Sequence, residues 1–260
     1  LMELGGGANK ALGQHFLIEK AALEAIVAAA ELQPGERVLE IGPGLGVLTQ
    51  ALLAAGACVT AIEQDRRYVA YLQQKLVAYG DRFTVVHGDA AQQSLSSLVP
   101  AGDWKLVSNL PYSITSLILR ESLCGVRSPT KVVVLIQREV AERALEVASS
   151  DARSHAKTSL LSLMVALTTV ERKIVRRVSA GAFFPPPKVE SAVLALTPKQ
   201  VEETFPVEAV MKLARQGFAH KRKLLASNLG FSEAEKKILQ EITGSDYVRS
   251  EALSAQQWRQ

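Results

Sequence analysis

Cysteine is scarce: Cys58 and Cys124 are the two that the 260-residue chain contains. A single pair excludes a disulfide framework and a cysteine zinc site. The apolar surroundings of both suit buried thiols in a reducing compartment, so a cytoplasmic protein is expected. No apolar run reaches ~20 residues without a charge or a turn, so no membrane span is expected. The start, Leu1 to Asn9, is Gly-rich and lacks the apolar core of a signal peptide; it reads as a flexible end. Excess charge is also slight. Thirty Lys and Arg against 26 Asp and Glu leave a formal +4, which permits a nucleic-acid partner without demanding one. There is no internal repeat and no long low-complexity tract, and no metal site is expected. What remains is a chain of ordinary hydrophobic content, long enough for one large domain plus a small appendage.

Along the chain, apolar residues at Leu23, Ile26, Val27 and Ala30 mark a first helix, stopped by Pro34-Gly35. Buried-strand patterns follow at 37–41, 57–62, 83–87, 104–108 and 131–136. Helical stretches stand between or after them at 47–55, 66–79, 113–122 and 138–147. Strand and helix alternating with short links predict an α/β protein with a parallel, doubly wound sheet. Ligands of such sheets lie beyond the carboxyl ends of the strands, and the polar clusters of this chain fall there. Residues 154–168 read as a helix, and 170–179 and 189–196 as two strands, antiparallel additions to the sheet. Thr197-Pro198 marks a boundary. Beyond it come short helices, so the expected division is a sheet domain over 1–198 and a helical domain over 199–260.

Glu40-Ile41-Gly42-Pro43-Gly44-Leu45-Gly46 lies between the first of these strands and a helix. Glycines there let the backbone turn tightly and approach a ligand. A dinucleotide loop needs Gly-x-Gly-x-x-Gly; its last position here is Val47, which argues against a nicotinamide-dependent oxidoreductase. Glu40 just before the loop would repel a phosphate and suits a cationic amino-acid end. Glu63 ends the next strand, placed to bind two ribose hydroxyls. Asp89 ends the one after, able to accept from an adenine amine with the Ala90 N–H nearby. Together they describe S-adenosylmethionine; the alternative is packing glycines with unrelated acids.

Asn109-Leu110-Pro111-Tyr112 follows another strand. An Asn carbonyl and the Leu110 carbonyl, which precedes a proline that cannot join a ladder, can accept two hydrogen bonds. Tyr112 offers a flat face for a base. The set suits a planar group bearing an NH2. Taken alone it reads equally as a strand-to-helix turn capped by Ser113.

With these residues assembled the chain resembles the rRNA adenine dimethyltransferase family, which includes the small-subunit rRNA dimethyltransferases and the erythromycin-resistance methylases of large-subunit rRNA. The resemblance runs nearly end to end: Leu12-Gly13-Gln14-His15-Phe16-Leu17, the glycine loop, Glu63, Gly88-Asp89-Ala90, Asn109 to Tyr112, Gln137 to Arg143, Phe183-Phe184-Pro185-Pro186-Pro187-Lys188-Val189-Glu190-Ser191-Ala192, and Phe218 to Leu224. It implies a Rossmann-like class I methyltransferase sheet with a small all-α C-terminal domain, and S-adenosyl-L-methionine as cofactor. Gln14, His15 and Leu17 would close over its methionine end, with Gly42, Gly44, Glu63, Asp89, Ala90 and Asn109 completing the cofactor site. Two methyl transfers to one adenine would take place at Asn109, Leu110, Pro111 and Tyr112, the base held between Tyr112 and Phe183 or Phe184. The Phe183 loop and the lysine-rich Phe218 segment look more like the small-subunit group.

Basic residues bunch at Arg172-Lys173, Arg176-Arg177 and Lys221-Arg222-Lys223. Each bunch alone is a solvated face. In the family's context Arg176, Arg177, Lys188, Lys221, Arg222 and Lys223 are expected on rRNA phosphates, in a monomer acting on the small ribosomal subunit. Two positions depart from the family: His15 where many members have Asn, and Thr158 where an aromatic residue is usual. The latter bears on contacts near the target base or on helix packing. The rival readings are a large-subunit methylase of the resistance type, a DNA adenine methylase, and a non-catalytic assembly or transcription factor on the same fold.

Overall fold

The computed structural model describes residues 15–148, 157–199, 206–220 and 222–260. Gln14, Lys221, the glycine-rich start and the expected helix start at 154 lie outside the described residues.

The sheet grows from one short unit repeated. Helix α1 (Lys20–Ala30) buries Ala22, Ile26 and Ala30, spaced four apart on one face. Strand β2 (Arg37–Ile41), helix α2 (Val47–Ala54), strand β3 (Cys58–Glu63), helix α3 (Arg66–Lys75) and strand β4 (Phe83–His87) follow. The chain then moves to the other side of β2 for β5 (Lys105–Asn109), helix α4 (Thr115–Cys124) and β6 (Lys131–Gln137), which runs directly into helix α5 (Arg138–Leu145). Strands β7 (Thr169–Val178) and β9 (Ser191–Pro198) close the far edge, giving the order β4-β3-β2-β5-β6-β9-β7. The pairs from β4 through β6 are parallel, and β9 runs antiparallel to β6. In β6, residues 131–136 are all buried; a strand covered on both faces can be apolar throughout instead of alternating. A two-stranded ladder of β1 (Phe16–Leu17) and β8 (Phe183–Phe184) sets Phe16 opposite Phe184 and Leu17 opposite Phe183.

Consecutive strands run outward from β2 to β4, and the chain then restarts beside β2 with β5. The carboxyl ends of β2 and β5 therefore part at a topological switch point, where open α/β sheets bind ligands. At the opposite ends of the strands two nearly buried lysines act as ties. Lys105 Nζ donates to the Glu31 carbonyl at 2.9 Å and to Glu36 at 2.6 Å, and Lys131 pairs with Glu31 at 2.8 Å.

The chain separates into two compact units, residues 1–141 with 171–198, and residues 142–170 with 199–260. The expected division at 198 thus differs: 142–170 groups with the helical unit. The reason lies in α6 (Leu160–Thr168), apolar almost all round, which packs on α7 (Val207–Gly217) and α10 (Ala255–Arg259). Thr158, just before it, is buried; its hydroxyl donates to the Leu253 carbonyl at 2.6 Å and accepts from Ala148 N–H at 3.0 Å. This departure from the family serves packing within the helical unit. The unit also holds α8 (Leu225–Leu229) and α9 (Glu233–Thr243). Reciprocal caps start α9 at Ser232 with Glu235 and α10 at Ser254 with Gln257.

Candidate active site

At the carboxyl end of β2, Glu40 is 2% exposed and accepts from Thr49 Oγ1, in the first turn of α2, at 2.7 Å. Burial pushes its carboxyl up to about 8; the Thr49 hydrogen bond opposes this and the nearby Glu63 adds to it. The expectation that Glu40 repels a phosphate by its charge is therefore amended, because at neutral pH the carboxyl is largely protonated.

The loop after β2 is shaped by two close approaches. A Cβ on Gly44, whose φ is +54°, would fall 3.0 Å from Phe16 Cε1, and one on Gly46, φ +73°, would fall 2.5 Å from Leu72 Cδ2. The first glycine makes room beside β1, and the second lets α2 start against α3. Gly44 N–H donates to Glu63 at 3.1 Å, and Asp65 N–H donates to the other carboxyl oxygen at 2.9 Å. Glu63 is 6% exposed, and its burial raises the carboxyl while these N–H donors pull it back. Each oxygen keeps acceptor capacity for a ligand hydroxyl. Gly88 N–H donates to the Glu63 carbonyl at 3.0 Å, which sets the end of β4 beside that of β3. Asp89 accepts from Ala91 N–H at 2.9 Å and from Gln92 Nε2 at 3.1 Å, capping a short turn.

Asn109 closes β5, and its Nδ2 donates to the His15 carbonyl at 3.4 Å, so the amide oxygen is the end left to accept from a ligand amine. Leu110 N–H donates to the Leu135 carbonyl at 3.1 Å. That bond ties the loop to β6 just before Pro111 breaks the ladder. Tyr112 is partly buried, its ring 6.1 Å from that of His15 and inclined at 27°, and its hydroxyl lies 2.7 Å from Ser191 Oγ.

These groups line one cavity of about 570 Å³, running from Gly42, Glu63 and Asp89 to Asn109 and Tyr112. His15, Leu17, Gly44, Ala90, Leu110, Pro111 and Phe183 also line it. Of the two expected stacking residues, Phe183 is 2% exposed and in the wall, whereas Phe184 is 54% exposed and outside it. Alternation along β8 forces that split. The volume lies in the range of cofactor pockets. Glu63 suits a ribose, Asp89 an adenine amine, and the glycine turn a close backbone approach, so the residues present fit S-adenosylmethionine. Phe16, Thr49 and Ser191 also belong here; Phe16 and Ser191 lie within the motifs of the resemblance, but the role of all three comes from a contact 9 or more residues away in sequence.

The basic residues separate. Arg176 pairs with Glu19 at 3.0 Å, so its guanidinium serves at least in part to hold α1 against β7. Arg177, Lys188, Arg222 and Lys223 are exposed. No cluster of metal-ligating side chains occurs among the described residues.

Comparison with known proteins agrees with this geometry. The family model described as ribosomal RNA adenine dimethylase matches residues 6–258. A protein of Dehalococcoides mccartyi named ribosomal RNA small subunit methyltransferase A is 37% identical over 262 residues, covering 97% of this chain and 86% of its own. Its namesake in Synechococcus elongatus is 38% identical, covering 96% and 92%. Among solved structures, a dimethyladenosine transferase from Plasmodium falciparum superposes with a TM-score of 0.74 at 26% identity, covering 94% of each chain. A 23S rRNA methyltransferase shares the fold, with a TM-score of 0.71 at 24% identity over 94% and 96%. With a match from residue 6 to residue 258 and relatives this similar along nearly its whole length, the chain belongs to the ribosomal RNA adenine dimethylase family.

Proposed function

We propose that the chain is an S-adenosylmethionine-dependent rRNA methyltransferase that converts adenine in small-subunit rRNA to dimethyladenosine. One observation carries this: the turn Asn109 to Tyr112 and the groups suited to an adenosine, Glu63 and Asp89, open into the same cavity. The cofactor supplies an electrophilic methyl on a sulfonium. The chain supplies the rest.

An adenine amine is a poor nucleophile because its lone pair is delocalised into the ring. Asn109 Oδ1 and the Leu110 carbonyl accept its two hydrogens, which draws the nitrogen toward tetrahedral geometry and frees the lone pair. The same oxygens stabilise the positive charge that develops on the nitrogen, an electrostatic effect strongest where water is excluded. Asn109 Nδ2, held by the His15 carbonyl, keeps the amide turned the useful way. No strong base is needed, since the extra proton leaves after transfer. Tyr112 stacks on the base with Phe183 behind it; stacking contributes ~1–3 kcal/mol per base and helps hold a base out of its own stack. Glu63 holds the ribose hydroxyls, and His15 with Leu17 covers the methionine end.

Relatives named for the small subunit are 36–38% identical over nearly the whole chain, whereas the structure named for 23S rRNA is 24% identical; that contrast favours the small subunit. On this reading Arg177, Lys188, Arg222 and Lys223 meet rRNA phosphates, which position and do not specify. The helical unit recognises the rRNA, and the protein acts as a cytoplasmic monomer. Binding should weaken steeply with salt.

The test is incubation with labelled S-adenosylmethionine and unmethylated small ribosomal particles, with large-subunit RNA in parallel, read by nucleoside mass spectrometry. Dimethyladenosine in the small subunit alone supports the proposal. Label in large-subunit RNA alone moves the chain to the resistance group, and none in either sinks the catalytic reading.

A further inference from the structure

The Tyr112 phenol meets a partner that the chemistry of the site does not itself require. Its oxygen lies 2.7 Å from Ser191 Oγ, across 79 residues of sequence. Ser191 is fully buried and opens β9 directly opposite Gln137, the last residue of β6. One residue earlier, the Glu190 carbonyl accepts from Arg138 N–H at 2.9 Å, and the Glu190 carboxylate pairs with the Arg138 guanidinium. The hydroxyl thus stands on a braced strand end, not on a loop.

Tyr112 itself begins a single 3-10 turn, residues 112–114, and such a turn does not fix the ring. The phenol sits at the far end of two rotatable bonds, and a stacking surface works only at one angle to the base. His15 limits the ring from its face, with its own Nδ1 held 2.8 Å from the Pro185 carbonyl. A bond at the para position, made to a rigid strand, fixes the tip of the ring and with it the first torsion; the oxygen lies on the axis of the second, so the tilt of the ring plane is set by His15 against its face.

We infer that Ser191 is a positioning residue for the methyl transfer: its hydroxyl anchors the Tyr112 phenol and fixes the place of the ring on which the target adenine stacks. This rests on the reading of Tyr112 given above. Ser191 touches Tyr112 and acts through it.

The test is a cycle of Ser191→Ala, Tyr112→Phe and the double variant, assayed for dimethyladenosine in small ribosomal particles. Loss of one neutral hydrogen bond should slow kcat about five- to tenfold in either single variant, with KM for S-adenosylmethionine within about twofold of wild type by the same reckoning. The double variant should be no slower than the slower single one. Multiplying losses would overturn the inference, as would full activity of either single variant. Should Ser191→Ala fail to fold, Tyr112→Phe decides alone. A second readout is independent of turnover. With ring-labelled tyrosine, the Cζ resonance assigned to Tyr112 should move in Ser191→Ala, and an unmoved resonance counts against the anchor. Wild-type protein that labels no RNA would overturn the functional reading and this inference together, which differs visibly from normal wild-type turnover with unaffected variants.

Discussion

Thr49 Oγ1 donates to the Glu40 carboxyl at 2.7 Å, and this is the hydrogen bond seen on an acid that is 2% exposed. The consequence is a pH-dependent stability. The folded carboxyl titrates at about 8 against an ordinary 4.5, so the fold favours the protonated form. The stability this confers is complete below about 4.5 and drains away as pH rises to 8, at up to about 1.4 kcal/mol per pH unit. Glu40→Gln stays neutral and still accepts from Thr49. Urea midpoints of the variant should therefore exceed those of wild type increasingly between pH 6 and ~8.5. Parallel curves would show that Glu40 is ionised in the fold.

Gly44→Ala should damage the cofactor site. A residue with a Cβ pays ~1–2 kcal/mol for the left-handed conformation, and here the new methyl also meets Phe16 at 3.0 Å. The peptide whose N–H holds Glu63 must then shift. Calorimetric titration should show S-adenosylmethionine binding on the order of tenfold weaker, about 1.4 kcal/mol. Unchanged affinity would mean that the loop is free to adapt.

Asn109→Ala should remove turnover and spare the cofactor. The variant loses an acceptor aimed at developing charge, a change that costs on the order of a hundredfold in kcat. Cofactor affinity should stay within a few-fold, since Glu63, Asp89 and the glycine loop are untouched. Full activity in a single-turnover assay would end the mechanism proposed for the amine.

Phe183→Ala and Phe184→Ala should part company. Phe183 is 2% exposed and belongs to the core as well as the cavity wall; its truncation should cost ~3–5 kcal/mol in chemical denaturation. Phe184, 54% exposed, should cost under ~1 kcal/mol. Phe183→Leu, which keeps most of the volume, should be the more stable Phe183 variant yet remain slow in turnover. Equal activity of Phe183→Leu and wild type would remove Phe183 from the stacking role.

Thr158→Val should weaken the helical unit and leave cofactor affinity alone. It removes the bonds to the Leu253 carbonyl and Ala148 N–H at 2.6 and 3.0 Å, leaving buried polar groups unpaired at ~1–3 kcal/mol. Amide exchange of residues 160–168 and 207–217 should quicken. Exchange rates equal to wild type would show that the segment does not depend on Thr158.

The alternation of strand and helix was legible because its signals are local: continuous apolar runs for the strands, helical spacing between them, and stops such as Pro34-Gly35. The site was legible at strand ends for a related reason. Gly42, Glu63, Asp89 and Asn109 each follow a recognisable strand, and in a parallel sheet all such ends share one rim. Residues 142–170 were less legible. An α6 that is apolar almost all round has no polar face to say which neighbour it packs against, and the surrounding tertiary contacts place it with α7 and α10.

The amino-acid sequence by itself determined the order of elements, the chemistry collected at the rim and the family, because each depends on residue type within a few positions. Tertiary structure alone decided the protonation of Glu40, the choice of Phe183 over Phe184 for the cavity wall, the commitment of Arg176 to Glu19, and the meeting of Tyr112 with Ser191. Each of these depends on burial or on a contact between residues distant in sequence. Neither is set until the sheet has closed around them.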